Sequence, residues 1–260
     1  MNLRNAAVAA LTIATLPVSG FSATCQVKSP AHAVALVELY TSEGCSSCPP
    51  ADEWLSTLGP AGGKPVEANF DKAVPLSLHV TYWDYIGWKD PFAQQRFTDR
   101  QRQYARLGGS SSVYTPQVVL AGADYPNWSD RRFTRDVSNI NGKPARAEIE
   151  LSAMTVNADG TFEVKAQAAA SQPEPADLFV AVFDNRLTSK VTRGENRGNQ
   201  LNHDYVVRAW LGPFPLEGGK AVLSEKVALA ASQPQAEPGV AAFVQARNGQ
   251  VLQATACLLR

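Results

Sequence analysis

Two cysteines three residues apart, with two prolines directly after them, constrain this chain more than any other stretch: Cys45-Ser46-Ser47-Cys48-Pro49-Pro50. Proline suits the first turn of a helix, where its missing N–H is not needed. The spacing therefore predicts a helix from Pro49 through about Leu58, with Trp54, Leu55 and Leu58 on one face. Ahead of the pair, Val34–Tyr40 is a nearly continuous apolar run, the pattern of a strand covered on both faces. The thiols fall between strand and helix, with Cys45 at or just before the helix N-terminus. There the unpaired N–H groups and the helix dipole favour a thiolate. Cys48, a turn deeper, is placed to attack a mixed disulfide on Cys45. A nucleophile and a resolving thiol are what thiol–disulfide exchange requires.

The motif admits two other readings. It is half of a zinc site, but no second CxxC exists, and the further ligands are His32, His79, His203, Cys25 and Cys257. Copper suits soft thiolates and one imidazole better than structural zinc does. The remaining reading is a permanently oxidised disulfide inside a binding module. Thiol exchange leads, with no metal and no cofactor assigned.

The rest of the chain reads in two halves. Val74–Val80 is a second apolar strand, followed by an aromatic loop from Tyr82 to Trp88. Asp90 and Pro91 suit an N-cap and first helical position, predicting a helix to Leu107 that stops at Gly108-Gly109. Thr115–Ala121 is a third strand, Gly122 to Pro126 turns the chain, and Ser129 caps a helix carrying Phe133, Val137 and Ile140. Strands alternating with helices imply an α/β domain over 34–142. Beyond Lys143 the strand-like runs Ala147–Val156, Thr161–Gln167, Asp177–Phe183, Leu201–Trp210, Lys220–Leu229, Val240–Gln245 and Val251–Leu258 follow one another. They predict a separate β-sandwich-like module over 146–260.

Lys and Arg total 24 and Asp and Glu total 24, so the basic excess that phosphate-backbone binding needs is missing and no nucleic-acid partner is expected. No apolar run reaches the roughly 18–20 residues that span a bilayer, so an integral membrane protein is not expected. Residues 1–23 read as a signal peptide: Arg4 is the sole charge before Lys28, Ala6–Val18 is apolar or small, and Gly20, Ser22 and Ala23 follow. The alternatives are a cytosolic N-terminal helix and a lipid anchor on Cys25. Export implies a periplasmic or secreted protein, where disulfides persist. Four cysteines allow three connectivities. If Cys45 and Cys48 pair locally, Cys25 and Cys257 are left either for each other or as two unrelated thiols.

Thr115-Pro116 opens the third strand, a place where the ladder tolerates proline. The segments VELYTSEGCSSCPPAD, HVTYWDYIGWKDPF, RQRQYA, SVYTPQVVLAG, RGENRGNQLNHDYVVR and AAFVQARNGQVL resemble a bacterial family of secreted thioredoxin-like proteins of unknown function. The resemblance implies a thioredoxin-like α/β fold with an added C-terminal β module and a dithiol at Cys45 and Cys48. It also implies that Pro116 is cis, faces the dithiol and binds the substrate backbone. It supplies no substrate.

Two further groups stand out. The two tryptophans and two tyrosines of Tyr82–Trp88 could form an apolar platform for a peptide or ligand, with Trp83, Asp84, Trp88 and Thr115 as candidate substrate-binding residues and Asp84 relaying a proton to Cys48; ordinary core packing is the alternative. Arg193, Glu195, Asn196, His203 and Arg208 form either a charge network bracing the two halves or a second substrate or metal site. No G-x-S-x-G elbow and no Gly-rich phosphate loop is present. The sequence thus predicts an exported thiol–disulfide oxidoreductase acting on an exported protein or a small thiol or disulfide. The alternative is a non-catalytic periplasmic binding protein for a peptide, small ligand or copper.

Overall fold

The computed structural model of the protein describes residues 24–60, 70–155, 161–229 and 232–259; the expected leader over 1–23 lies outside the described residues. The first half contains β1 (Thr24–Lys28), β2 (Ala35–Thr41), α1 (Pro49–Ser56), β3 (Ala73–His79), a 3-10 turn over Thr81–Ile86 and α2 (Gln95–Leu107). It continues with β4 (Gln117–Leu120), β5 (Ala123–Asp124) and α3 (Arg132–Asn141). The second half contains β6 (Ala147–Thr155), β7 (Thr161–Ala170), β8 (Ala176–Asn185), β9 (Leu187–Lys190) and β10 (Gln200–His203). β11 (Val206–Pro215), β12 (Lys220–Ala228), β13 (Glu237–Ala246) and β14 (Val251–Leu258) complete it.

The apolar runs do become strands buried on both faces. β2 and β3 are buried at every position and lie parallel, with Thr41 opposite His79. β4 pairs antiparallel with the other side of β2, Tyr40 opposite Gln117. Leu55, Phe97 and Phe133, one from each helix, join the core around these strands, α1 meeting β2 at Thr41 and α2 meeting it from the opposite face at Glu38 and Tyr40.

The expected fold class, an α/β thioredoxin-like domain followed by a separate β-sandwich-like module, does not hold. The protein is mostly β, 46% strand against 17% helix. Strands from both halves share one eight-stranded sheet of order β14-β13-β8-β11-β3-β2-β4-β5. The seam is β3 against β11, where Val206 stands parallel to Ser77 and the Ser77 N–H donates to the Tyr205 carbonyl at 2.8 Å. A four-stranded sheet, β1-β6-β7-β12, packs on the second face, where Ile149, Val164 and Leu223 meet Val180 and Val244. The alternation along β8 serves both cores: Val180 and Val182 face this one, Ala181 and Phe183 the other.

Several elements differ from the sequence reading: β9 was not read as a strand, and α3 starts at Arg132 with Arg131, not Ser129, at its N-cap. The run Leu201–Trp210 is broken into β10 and β11 at Tyr205, whose φ of 58° bends the chain while its N–H donates to Asn185 Oδ1 at 2.9 Å. α2 begins at Gln95 rather than after Asp90; Asp90 Oδ1 accepts the Phe92 N–H at 2.9 Å, but this closes a single turn and the helix does not run on from it.

The halves are also locked by a buried ion pair. Arg100 of α2 donates to Glu38 of β2 at 2.6 and 3.2 Å and to the Tyr104 hydroxyl at 2.9 Å, and a further bond reaches Gln245 of β13 at 3.1 Å. The guanidinium lies 4.8–5.3 Å from the rings of Tyr104, Phe179, Trp210 and Phe243, an aromatic setting that favours a desolvated cation. A disulfide joins Cys25 of β1 to Cys257 of β14, so one sheet's edge is stapled to the other's, and the Cys25 sulfur is not free to carry a lipid. Glu38→Ala strands the guanidinium in the core, and the expected loss is about 3–5 kcal/mol, read as a lowered urea midpoint. The shared sheet further predicts one calorimetric transition; two resolved transitions, one per half, would overturn it.

Candidate dithiol site

The carboxyl ends of β2 and β3 and the entry to β4 lie at one edge of the sheet, the side on which open parallel sheets place their ligand crevices. From Thr41 the chain makes two consecutive turns. The Cys45 N–H donates to the Ser42 carbonyl at 3.1 Å, and the Cys48 N–H to the Cys45 carbonyl at 3.2 Å. The second turn brings the Cα atoms of Cys45 and Cys48 to 5.4 Å, and a disulfide joins them. Both cysteines are buried, whereas Ser46 and Ser47 between them are exposed; Ser47 Oγ lies 3.3 Å from Cys45 Sγ.

The helix starts at Pro49 as expected, but Cys45 does not stand at its N-terminus. Cys48, not Cys45, is the N-cap of α1, and prolines fill the first two helical positions. Since Pro49 and Pro50 bring no N–H, the first helical donors are Ala51 and Asp52, and both bond the Cys48 carbonyl, at 2.9 and 3.1 Å. Cys45 therefore sits in a turn ahead of the helix, with little of the helix's own N–H array facing it.

Glu43, buried and two residues before Cys45, gathers the surrounding segments. Its N–H donates to Asp90 Oδ2 at 2.9 Å; its carboxylate accepts Trp88 Nε1 at 2.7 Å and meets His203 Nε2 at 3.2 Å. Asn196 Nδ2 donates to the carbonyls of Glu43 and Cys45 at 2.9 and 3.0 Å, and Glu195 Oε2 accepts the Ser46 N–H at 2.9 Å. Of the second candidate group, Glu195, Asn196 and His203 thus converge on the dithiol turn. Arg208 does not: it donates to Asp184 at 2.6 Å, over the Phe92 ring. Arg193 is exposed on the Glu195 loop.

In the aromatic segment, Trp83 Nε1 donates to Thr115 Oγ1 at 2.7 Å and its ring stacks on Tyr85, which is 82% exposed. The Thr115–Pro116 peptide is cis, and Pro116 enters β4 across from the end of β2. A Cβ at Gly44 would lie 3.1 Å from both Ile86 Cδ1 and Trp83 Cβ, so the glycine lets the segment close against the dithiol loop. Asp84 Oδ1 accepts the Asp90 N–H at 3.2 Å, a turn-closing contact.

Two ionisable residues of the site, Glu43 and Asp52, were missed by the sequence reading, and two more were read in other roles, His79 as a possible metal ligand and Asp90 as a helix cap. Asp52 is buried and follows Cys48 by four residues, a spacing that puts both on one helix face. That spacing was the available signal. The Thr41 hydroxyl donates to its Oδ2 at 3.1 Å, while Oδ1 has no partner. Burial pushes the Asp52 carboxyl above its ordinary range, against the pull of His203 and His79. His79 and Asp90 form a fully buried pair at 2.7 Å, its imidazole edge-on to His203 at 5.1 Å. Burial alone would lower the His79 pKa, but the Asp90 carboxylate outweighs it and raises it from 6.5 to about 9. Asp90, pushed up by burial, is held below the ordinary carboxylate range by His79. Asp52 and His203 line a cleft of about 50 Å³ between α1 and β10, room for a water or two. Among the described residues, no three His, Cys, Asp or Glu side chains are grouped as a metal site would need.

Fold and site together define a mostly-β protein in which a buried CxxC disulfide sits at the edge of a mixed sheet, backed by buried carboxylates and histidines. The chain belongs to the family described as Protein of unknown function (DUF1223), which matches residues 36–245. It is similar to the X-ray crystal structure of protein AGR_C_4864 from Agrobacterium tumefaciens, at 29% identity and a TM-score of 0.58, over 88% of this chain and 95% of that one. A search of curated proteins finds no match.

The His79–Asp90 pair makes stability depend on pH with a definite sign. His79 has a folded pKa of about 9 against 6.5 unfolded, so its contribution is complete below 6.5 and is lost as pH rises through about 9. Asp90, with a depressed folded pKa, contributes above 3.8 and loses that contribution as pH falls. Urea melts between about pH 6 and 9.5 should show stability falling, and His79→Gln should flatten that fall. An equal fall in the variant would remove the pair as its source.

Proposed function

We propose that the protein is an exported thiol–disulfide oxidoreductase that works through Cys45 and Cys48. The observation that carries this reading is the pairing of a CxxC disulfide with a buried carboxylate oxygen, Asp52 Oδ1, that lacks a partner and belongs to the residue one helical turn beyond Cys48. Breaking a disulfide releases a thiolate that needs a proton, and a carboxyl whose hold on its proton is strengthened by burial is placed to supply one.

The exchange begins when a partner's thiolate attacks Cys45 Sγ. The Cys45–Cys48 bond breaks, Cys48 Sγ leaves with the electron pair, and it takes a proton from Asp52. The partner's second thiol, losing its proton, attacks the partner sulfur of the mixed disulfide and Cys45 leaves as a thiolate. The partner is then oxidised and the protein holds a dithiol; the reverse sequence reduces a partner. Cys45 is assigned the attacked position because the exposed Ser46 and Ser47 follow it. Pro116, Thr115 and Trp83, gathered where β4 meets the end of β2, are assigned to holding the partner chain.

Two disulfides in the described residues fit a compartment that keeps cysteines oxidised. No helix among the described residues is long and apolar enough to cross a membrane. The partner is accordingly an exported protein or a small thiol or disulfide.

Cys48→Ser, whose Cys45 thiolate attacks a disulfide and displaces one of its sulfurs but has no second thiol to release it, should accumulate a mixed disulfide on Cys45 with an oxidised, disulfide-bonded model peptide, whereas Cys45→Ser should give none and lose exchange activity. Asp52→Asn should slow exchange at neutral pH by about 10²-fold while retaining both cysteines. Undiminished activity in Cys45→Ser, or a pair that dithiothreitol reduces only in denaturant, would leave a structural disulfide and end the catalytic reading.

A further inference from the structure

We infer that Glu195, delivered by the loop between β9 and β10, makes the Cys45–Cys48 pair more reducing by occupying the amide beside Cys45 with a negative charge. This rests on the reading of the pair as a reversible dithiol, and it concerns the poise of that same site.

The argument starts from a shortage of donors. A thiolate at the mouth of a helix is ordinarily stabilised by the unpaired N–H groups of the first turn. Here the first two helical residues are prolines, and the next two N–H groups are taken by the Cys48 carbonyl. What remains near Cys45 is the intervening dipeptide: the amides of Ser46 and Ser47 and the Ser47 hydroxyl, 3.3 Å from Cys45 Sγ. The Ser46 amide already donates to Glu195 Oε2 at 2.9 Å. Its hydrogen bonds to Ser46 hold the Glu195 carboxyl below the ordinary range, so it is ionised wherever a thiolate would form.

The placement is built into the loop. Gly194 has a φ of 75°, and a Cβ there would stand 2.9 Å from Ile86 Cδ1, so glycine is needed for the loop to reach the turn. On the other side of Glu195, Asn196 is buried and bonded to the carbonyls of Glu43 and Cys45. The other acidic and basic side chains of the segments that meet at the turn are Glu43, Asp52 and Glu53 on the dithiol segment, His79 at the end of β3, Asp84, Lys89 and Asp90 after it, His203 on β10, and Arg193 and Arg197 on the same loop as Glu195. Of these, Glu195 is the one bonded to the amide next to Cys45.

The redox consequence follows from charge. Reduction adds two electrons from a dithiol reductant, breaks the S–S bond, and gives each sulfur a proton; above the pH at which Cys45 ionises, its proton goes to solvent. A carboxylate beside that sulfur disfavours the thiolate and so disfavours the reduced form.

The test equilibrates the full chain with reduced and oxidised dithiothreitol and reads the dithiol fraction by acid quench, alkylation and mass. Glu195→Gln keeps a carbonyl oxygen for the Ser46 amide and removes the charge. At about pH 9.5 it should shift the equilibrium toward the dithiol about tenfold, which at 29.6 mV per tenfold is about 30 mV. At about pH 6, where both thiols hold their protons, the two proteins should coincide. The midpoint pH of Cys45 alkylation should fall by about one unit, and the difference should shrink in about 1 M salt because Glu195 is exposed. A structural role alone would not produce this pH and salt dependence. A wild-type pair that equilibrates but ignores Glu195→Gln within about twofold, or shifts the opposite way, overturns the inference and leaves the oxidoreductase reading standing. A wild-type pair that never equilibrates without denaturant defeats both.

Discussion

Everything around the dithiol depends on the buried carboxylate of Glu43. It has no lysine or arginine partner; its charge is met by the Trp88 indole N–H at 2.7 Å and the His203 imidazole at 3.2 Å. Its backbone is held as tightly, the N–H by Asp90 and the carbonyl by Asn196. One residue thus ties the end of β2 to the aromatic segment after β3, the Glu195 loop and β10. A buried polar group costs several times more when one of its partners is missing than the bond is worth when made. The four segments are therefore held in one arrangement, and the turn that bears Cys45 and Cys48 inherits its position from that arrangement.

The second half of the chain reaches the dithiol because the central sheet carries it there. β11 joins β3 at a seam of little more than one residue pair, and the bend at Tyr205 lets β10 turn back over α1. The seam alone would be weak. It is backed on one face by the Arg100–Glu38 pair and its aromatic box, and on the other by the core between the two sheets. Interfaces of this kind do not slide, so the groups that the second half contributes are fixed to the accuracy of a packed interior.

The sequence made the strand, turn and helix from 34 to 58 legible because period and proline placement are local quantities. The same holds for most strands after residue 146, whose alternation is unmistakable. The architecture was misread because strand pairing is not local: nothing in Val206 announces that it will stand beside Ser77. Local rules also competed. Asp90-Pro91 has the grammar of a helix start, and one Asp90 carboxylate oxygen does accept the Phe92 N–H while the other serves His79 and the Glu43 amide, yet the turn is not continued and α2 begins five residues later. Two prolines fit a helix start so well that they move it past Cys45, leaving Cys48 as the cap. Glu195, Asn196 and His203 were visible as an odd cluster, but their target was not, since it lies about 150 residues upstream.

The bond between Cys25 and Cys257 spans 232 positions and closes nearly the whole described chain into a covalent ring. A ring has no loose thread. Force applied through residues outside the bridge passes across two sulfurs and leaves both sheets unloaded, so traction at the ends cannot peel strands away one by one. A motor that threads polypeptides through a narrow pore would meet two strands side by side at this bond and would stall until a reductant opened it. The molecule's resistance to being pulled apart is in that sense a chemical property of its surroundings, set by the redox state outside rather than by the packing within.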